Sequence, residues 1–229
     1  MPDQPPDIAG FSHVRHWVFD LDNTLYPPEA ALFDQIEARM TRWVADALWV
    51  TVAEANRLRR RYWRSHGTTL AGLMEVHGVD PGPYLTDVHD ISMDHLRRDP
   101  GLAAAIAALP GRRIVYTNGT AAYARRVLAA RGLLDTFHDV FGVEEAGFQP
   151  KPRRAAFEAV FAAGGVAPAR AAMFEDDPRN LEVPRQLGMQ TVLVSPDCPD
   201  DCGHIQHRTN DLSAFLSHLA PLGGAAGVD

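Results

Sequence analysis

Short apolar runs alternate with amphipathic stretches along most of the chain. The runs are nearly continuous in apolar character, which is typical of parallel strands that are covered by helices on both faces. The pattern therefore predicts five strands of a parallel sheet. They are VRHWVFD at 14–20, RRIVYTNG at 112–119, DVFGV at 139–143, RAAMFED at 170–176 and QTVLV at 190–194.

Helical periodicity separates the later runs. Each of these helical stretches ends at glycine, which tolerates the left-handed backbone conformation just past a helix C-terminus. Strands that alternate with helices predict an α/β fold, a Rossmann-like doubly wound sheet whose ligands bind beyond the carboxyl ends of the strands. The stretches are AAYARRVLAARGL at 121–133, RRAAFEAVFAAGG at 153–165 and PRNLEVPRQLG at 178–188.

The segment 28–102 breaks the alternation because it contains helical patterns only. Apolar side chains recur every three or four residues in its first helix, and Thr51 with Glu54 forms a capping box for the second. We therefore predict an all-helical domain inserted into the α/β core. The predicted core comprises 11–27 and 103–219, and 1–10 and 220–229 are predicted to be loose termini.

Composition and charge narrow the possible partners. The chain has 229 residues, 46% of them hydrophobic, and a formal net charge of −7. This acidic balance argues against nucleic acid and anionic membranes, which need clustered positive charge. No apolar run approaches the about 20 residues that span a bilayer, and MPDQPPDIAG lacks the regions of a secretory signal. We therefore expect a cytoplasmic protein with a small-molecule partner; the sequence leaves its oligomeric state open.

Polar and acidic residues follow the predicted strands. Because the carboxyl ends of parallel strands share one edge, these side chains are expected to converge there. A carboxylate cluster in a poorly solvated cleft is stable with a hard divalent cation, and oxygen ligands favour Mg²⁺. A metal, a lysine and a hydroxyl together suit a phosphoryl group, with one carboxylate as nucleophile and another as general acid and base. The residues are Asp20, Asp22, Thr117, Asn118, Lys151, Glu175, Asp176 and Asp177.

Four ordered motifs resemble those of the haloacid dehalogenase-like phosphohydrolases. They are DLDNT at 20–24, YTNG at 116–119, KP at 151–152 and FEDDPRN at 174–180. The helical insertion between the first two motifs looks like the cap of the family's first subfamily. DNTLYPP at 22–28 and HGTTLAGLMEVHGVDP at 66–81 look in particular like the pyrimidine 5′-nucleotidase group.

The resemblance implies roles for the residues that match the motifs. Asp20 would be the nucleophile and a metal ligand, and Asp22 the general acid and base, with its main-chain carbonyl on the metal. Thr117 and Asn118 would hold the phosphoryl oxygens, and Lys151 would neutralise charge between nucleophile and phosphate. The expected reaction is hydrolysis of a phosphomonoester through an aspartyl-phosphate.

The last motif is expected to supply the remaining metal ligands. By resemblance, Asp176 would bind Mg²⁺ directly and Glu175 directly or through water, while Asp177 has no assigned role. Asn180 would orient the lysine or the metal loop. Asp22 further favours phosphatase activity, because the carbon–halogen-cleaving members lack an aspartate there. The phosphonate-cleaving members use a cap lysine, and residues 27–102 contain none.

The substrate is the least defined part of this hypothesis. Pyrimidine nucleoside monophosphates are expected, and the alternatives are another small phosphomonoester (a sugar phosphate, phosphoglycolate or pyridoxal phosphate), a phosphomutase, or a binding protein without turnover. Tyr26, His66, Thr68 and Thr69 are candidate specificity residues.

Two further stretches allow both a functional and a structural interpretation. RLRRRYWR at 57–64 could steer anionic substrates or contact nucleic acid, but it is better explained as the solvated face of an amphipathic helix with Leu58 and Tyr62 turned inward. CPDDCGHIQH at 198–207 could bind zinc through two cysteines and two histidines. A surface loop explains its compressed spacing without a metal. The four candidate ligands are Cys198, Cys202, His204 and His207.

Overall fold

Six strands form one parallel sheet in the computed structural model, which describes residues 8–197, 202–219 and 222. The α/β class and the five predicted strands are confirmed. A sixth strand was not predicted because its three residues, HRT, contain no apolar run. The strands are β1 (His16–Phe19), β2 (Arg112–Tyr116), β3 (Asp139–Phe141), β4 (Ala171–Glu175), β5 (Gln190–Val194) and β6 (His207–Thr209). Their order across the sheet is β3-β2-β1-β4-β5-β6.

Both faces of the sheet are buried, which explains the nearly continuous apolar runs. In β1, Trp17 and Phe19 belong to one apolar cluster and Val18, which points the other way, belongs to a second. Phe19 stacks on Phe174 of the neighbouring strand β4, with ring centroids 4.6 Å apart. The central strands are therefore held between two apolar layers.

Ten α-helices lie in the described ranges. The predicted glycine stops are found at Gly132 and Gly165, which have φ values of 72° and 61°. The α-helices are α1 (Ile8–Phe11), α2 (Leu32–Leu48), α3 (Val52–His66), α4 (Thr69–His77), α5 (Pro81–Val88), α6 (Pro100–Ala107), α7 (Ala121–Arg131), α8 (Arg154–Gly164), α9 (Glu182–Gln186) and α10 (Leu212–Leu219). Short 3₁₀ helices are Pro28–Ala30, Leu134–Thr136, Pro168–Arg170 and Pro178–Leu181.

The stretch at 178–188 differs from its prediction as a single helix. The structure divides it into the 3₁₀ helix Pro178–Leu181 and α9. Pro184 has no N–H and could not donate a hydrogen bond to the carbonyl of Asn180 in a continuous α-helix. The first turn is therefore a 3₁₀ helix, which is wound more tightly.

Helices α2 to α5 lie between β1 and β2 in the sequence and pack on one another. Helix α3 contacts both α2 and α4. Thr51 caps α3 by accepting a hydrogen bond from the backbone N–H of Glu54, as the capping box predicts. Gly72 lets α3 and α4 approach closely, because a Cβ there would lie 2.3 Å from the ring of Tyr62. The domain boundary near 102 stays a prediction; α6 runs across it.

Within the described residues, every helix is too short or too polar to span a membrane.

Candidate active site at the carboxyl edge of the sheet

Strands β1, β2 and β4 bring three of the four motifs to one edge. Phe19 of β1 pairs in register with Val115 of β2 and with Phe174 of β4. Asp20, which directly follows β1, donates its backbone N–H to the carbonyl of Phe174 over 2.9 Å. Since β1 lies between β2 and β4, the motif residues that follow these strands surround Asp20, at a position where ligands of doubly wound sheets bind.

Lys151 lies at the centre of this edge and is 1% exposed. Its ammonium nitrogen is 2.6 Å from Oδ1 of Asp20 and 2.6 Å from Oε2 of Glu175, and it also donates to the carbonyl of Tyr116 over 3.2 Å. Burial alone would lower the pKa of Lys151, but the two carboxylates raise it, so the side chain is a fixed cation. It is also the only lysine in the sequence, a signal that sequence analysis overlooked.

Asn118 holds the main chain of Lys151 in place. Its Oδ1 accepts the backbone N–H of Lys151 over 2.8 Å, and its Nδ2 donates to the carbonyl of the same residue over 3.3 Å. Thr117 is buried, and its hydroxyl accepts the backbone N–H of Gly119 over 2.9 Å. Both Thr117 and Asn118 line the cavity described below, but the side chain of Asn118 is largely engaged by the lysine loop.

Asp20, Glu175 and Asp176 form a compact acidic cluster. One carboxylate oxygen from each lies within 4.8 Å of the others. Burial and then repulsion from Glu175 raise the pKa of Asp20 to about 8. Burial, with repulsion from Asp176, raises the pKa of Glu175 to about 8, and burial with repulsion from Asp20 raises that of Asp176 to about 7. One lysine therefore does not balance the charge of the cluster.

The composition of this cluster fits a divalent hard cation. All three side chains offer oxygen atoms, which Mg²⁺ prefers, and a cation would offset the repulsion that raises their pKa values. Glu175 is less available to a cation, because both of its carboxylate oxygens already accept hydrogen bonds. Its Oε2 accepts from Lys151, and its Oε1 accepts from the backbone N–H of Asp177 over 3.3 Å. Asp20 and Asp176 are therefore the better placed ligands.

Asp22 is held by two tyrosines. The hydroxyls of Tyr26 and Tyr123 each donate to Oδ1 of Asp22 over 2.7 Å. Burial raises the pKa of Asp22, and the two hydrogen bonds act in the opposite direction. Tyr26, a candidate specificity residue, is thus placed behind Asp22 and outside the cavity lining. Tyr123 was missed because a tyrosine near the start of an apolar helix is normally a core residue.

Asp177 is engaged by a neighbouring arginine. It accepts two hydrogen bonds from Nε of Arg179, at 3.0 and 3.1 Å, and caps the backbone N–H of the same residue. The guanidinium of Arg179 lies 3.6 Å from the ring centroid of Trp63 on α3. Asp177 therefore positions a contact between the sheet edge and the helical segment.

A cavity of about 780 Å³ separates the sheet edge from helices α2 to α5. Asp20, Asp22 and Lys151 line it from the sheet side. Thr68 and Thr69 also line it, and the Thr68 hydroxyl caps α4 by accepting the backbone N–H of Ala71. His66 lies outside the lining and bonds to Ser65 over 2.7 Å. The helical segment contributes both apolar and polar side chains. The apolar ones are Phe33, Ile36, Met40, Trp63, Leu70, Leu85 and Val88, and the further polar ones are Glu37, Arg59, Arg60, Tyr84 and His89.

The basic stretch at 57–64 is mostly solvated, as expected, with Tyr62 buried and Leu58 half-buried. Arg59 is the exception among the arginines, because it is only 8% exposed. It lines the cavity, as do Arg60 and Trp63. The prediction that this whole basic face is solvated was therefore wrong at Arg59. An inward-pointing arginine follows the same helical spacing as Tyr62, and its charge concealed that pattern.

The zinc hypothesis for the C-terminal loop stays a prediction, because Cys198 lies outside the described residues. His204 Nε2 is 2.8 Å from the carbonyl of Pro178, and the ring of His207 lies 4.8 Å from that of Phe11. In the described ranges, both histidines therefore have structural contacts of their own.

One comparison with known proteins identifies the family, and the others show structures of similar fold. A family model described as haloacid dehalogenase-like hydrolase matches residues 14–188. Magnesium-bound YfnB from Bacillus subtilis has a TM-score of 0.57 at 17% identity, over 90% of this chain and 98% of that chain. A 2-haloacid dehalogenase from Pseudomonas syringae pv. Tomato DC3000 has a TM-score of 0.57 at 21% identity, over 91% and 99%. A HAD phosphatase from Thermococcus onnurineus has a TM-score of 0.57 at 18% identity, over 87% and 94%. At these identities the likeness is one of fold.

Proposed function

Because the chain belongs to the haloacid dehalogenase-like hydrolase family, we propose that it is a Mg²⁺-dependent phosphomonoester hydrolase that acts through an aspartyl-phosphate. Pyrimidine nucleoside monophosphates are its proposed substrates. The similar structures include both a dehalogenase and a phosphatase, so the fold does not select between the two reactions. The choice depends on the residues of the site.

The observation that carries the proposal is Asp22, which lines the cavity together with Asp20. An ester oxygen needs a proton as it leaves, whereas a halide does not. Burial raises the pKa of Asp22, which favours the protonated form that a general acid requires. A second carboxyl beside the nucleophile is thus explained by phosphoester cleavage and has no task in dehalogenation.

In the first step, a carboxylate oxygen of Asp20 forms a bond to phosphorus and the ester P–O bond breaks. Asp22 gives its proton to the departing oxygen. In the second step, Asp22 accepts a proton from water as that water attacks phosphorus. The bond between phosphorus and Asp20 breaks, and inorganic phosphate leaves with Asp20 and Asp22 restored to their starting states.

Lys151 keeps Asp20 oriented and supplies positive charge where the phosphate binds. Its 2.6 Å contact to Oδ1 fixes one oxygen of Asp20 and leaves Oδ2 for attack. Asp20 and Asp176, with Glu175 beside them, would hold Mg²⁺. When bound, the cation would offset charge on the carboxylates and the phosphoryl oxygens.

Residues 28–102 act as a cap that binds the leaving group and limits access of water during the first step. Support comes from the cavity, whose second wall is supplied by α2 to α5. Its volume of about 780 Å³ is within the roughly 300–1,000 Å³ typical of small-molecule sites.

The test is phosphate release from a panel of phosphomonoesters with Mg²⁺ or with a chelator. The panel contains uridine, cytidine and adenosine 5′-monophosphates, ribose 5-phosphate and glucose 6-phosphate, and 2-chloropropionate is assayed for halide release. Asp22→Asn is expected to lower kcat by about 10²- to 10⁴-fold, and Asp20→Asn to reduce turnover to background. Asp94→Asn is the matched control, because its carboxylate is exposed.

Phosphate release by Asp20→Asn at the parental rate would contradict the mechanism, and halide release without phosphate release would contradict the reaction class. Turnover of sugar phosphates with no turnover of nucleotides would overturn the substrate assignment alone.

A further inference from the structure

His89 directly follows α5 and brings a polar ring to the cavity from the helical segment. The residue is 9% exposed. Its Nδ1 lies 3.4 Å from the hydroxyl oxygen of Thr120, whereas its Nε2 makes no hydrogen bond to any residue that the structure describes. Nε2 is unpaired but is not sealed off by protein atoms, so a ligand in the cavity can reach it. Polar atoms of such buried side chains are normally paired, and this one therefore indicates a polar group on the ligand.

The ring of His89 is held in place by α7. It stacks face to face on Tyr123, with ring centroids 4.4 Å apart and planes 7° from parallel. Arg126 of the same helix donates to the carbonyl of His89 over 2.9 Å and to that of Ile91 over 2.8 Å. Because α7 directly follows the second motif, these contacts set the direction of Nε2 relative to the sheet edge.

Nε2 of His89 lies beside the second motif. A Cβ on Gly119 would be 3.3 Å from this nitrogen and 3.4 Å from the hydroxyl oxygen of Thr117, so both polar atoms flank one point beyond the end of β2. Tyr123, on which the ring is stacked, donates to Asp22, the proposed acid. His89 is therefore placed where the leaving group meets the phosphoryl group.

The chemistry of the ring defines its partner. Burial lowers the pKa of His89 to about 4, so the imidazole is neutral near pH 7 and does not act as a counter-ion for phosphate. A neutral imidazole carries one N–H, which lies on either nitrogen. A hydroxyl group can pair with Nε2 in both cases, because it donates as well as accepts. The matching group is thus a hydroxyl close to the ester.

On the basis of the proposed function, we infer that Nε2 of His89 forms a hydrogen bond with a sugar hydroxyl of the leaving group. In a nucleotide this is the 2′ or the 3′ hydroxyl of the ribose. His89 is thereby a specificity residue, which favours phosphate esters of nucleosides and sugars over esters that lack hydroxyl groups.

The test removes the residue and the hydroxyls separately. Phosphate release from uridine 5′-monophosphate and from its 2′,3′-dideoxy analogue is measured on the parent and on His89→Phe, which keeps a ring on Tyr123 but has no nitrogen. Loss of one hydrogen bond is expected to lower kcat/KM for uridine 5′-monophosphate by about 5- to 10-fold. For the dideoxy analogue, the substitution should change kcat/KM by less than about twofold, because the hydrogen bond is already absent. His95→Phe is the matched control, since His95 is exposed, and it should leave both values unchanged.

Binding separates this inference from the proposed function. Calorimetry on Asp20→Asn, with and without His89→Phe, measures Kd for both nucleotides when the nucleophile is absent. If the parent hydrolyses neither nucleotide but His89→Phe raises the Kd of uridine 5′-monophosphate alone, the hydrolase proposal fails and the inference stands. If the parent hydrolyses both nucleotides with equal kcat/KM, or if His89→Phe slows both by the same factor, the inference is wrong and the hydrolase proposal stands. Absence of both binding and hydrolysis overturns the two together. If His89→Phe does not fold, His89→Ala gives the same comparison of the two nucleotides.

Discussion

Metal-free protein is expected to lose stability as the pH rises from about 6.5 to about 8. In the unfolded chain, aspartate and glutamate ionise near pH 4. In the folded chain, Asp20 and Glu175 keep their protons until about pH 8, because burial and mutual repulsion raise both pKa values. The folded state therefore binds more protons across this window, and the free energy of unfolding falls as the pH rises.

The size of the loss follows from the two pKa values of about 8. For one such carboxyl, the proton linkage between about pH 6.5 and about pH 8 amounts to roughly 1.5 kcal/mol, and for both to roughly 3 kcal/mol. Asp176, whose pKa is raised to about 7, adds roughly 0.8 kcal/mol in the same direction. A chain of this length shifts its Tm by about 2–4 °C per kcal/mol, so Tm should fall by roughly 3 to 12 °C.

Two buried histidines act in the opposite direction, but their contribution between about pH 6.5 and about pH 8 is small. Burial lowers the pKa of His89 to about 4, and burial together with Arg170 lowers that of His16. Both contribute stability that is lost as the pH falls below about 6.5, where the unfolded chain takes up protons. At about pH 6.5 each histidine is still half protonated in the unfolded chain, so each offsets at most roughly 0.4 kcal/mol of the loss between about pH 6.5 and about pH 8.

The assay is scanning calorimetry across this pH range with a chelator or with excess Mg²⁺. Mg²⁺ binds the ionised carboxylates, so it should raise Tm more at about pH 8 than at about pH 6.5. Glu175→Gln should reduce the pH dependence by at least half, because it removes one carboxyl and also the repulsion that raises the pKa of Asp20. Asp94→Asn should leave it unchanged. A metal-free Tm that is flat or rises with pH, or an equal effect of Mg²⁺ at both ends, would refute the charge imbalance inferred for this cluster.

Three other perturbations test separate parts of the structure. Tyr123→Phe removes one hydrogen bond to Asp22 and should lower kcat by about 5- to 10-fold in the parent but have no further effect in Asp22→Asn, as measured by steady-state kinetics. Arg179→Ala removes the contact between the sheet edge and α3 and should raise KM by about 2- to 10-fold, with kcat less affected. Gly72→Ala should destabilise the fold by about 1–3 kcal/mol in urea unfolding, whereas Gly101→Ala, whose Cβ would make only an ordinary contact of 3.5 Å with Oδ1 of Asp99, should not.

The core of the site could be predicted because its position depends on strand ends. Asp20 and Glu175 follow or end buried apolar runs, and parallel pairing then brings residues distant in sequence to one edge. These inferences need only the period of the apolar pattern and the polarity of the residue that ends each strand.

The helical wall could not be predicted in the same way. Arg59 lies in a run of arginines, and nothing in the local pattern distinguishes the one that points inward from those that stay solvated. Its position depends on how α3 packs against α2, where Thr41 and Glu37 accept its hydrogen bonds. Such contacts between helices follow no short sequence motif, so they emerge only from the structure.

The sheet edge and the helical wall of the cavity also differ in their charge. At the sheet edge, four carboxyls (Asp20, Asp22, Glu175 and Asp176) gather around one lysine, and the imbalance creates an affinity for a cation and a phosphoryl group. On the helical wall, the charge of Arg59 is matched by Glu37, and apolar side chains such as Phe33, Ile36 and Met40 line the cavity beside it. A phosphate group attached to a partly apolar leaving group would suit both surfaces. For that reason the sheet edge is expected to determine the reaction, and substitutions on the helical wall should change which esters are cleaved while the chemistry stays the same.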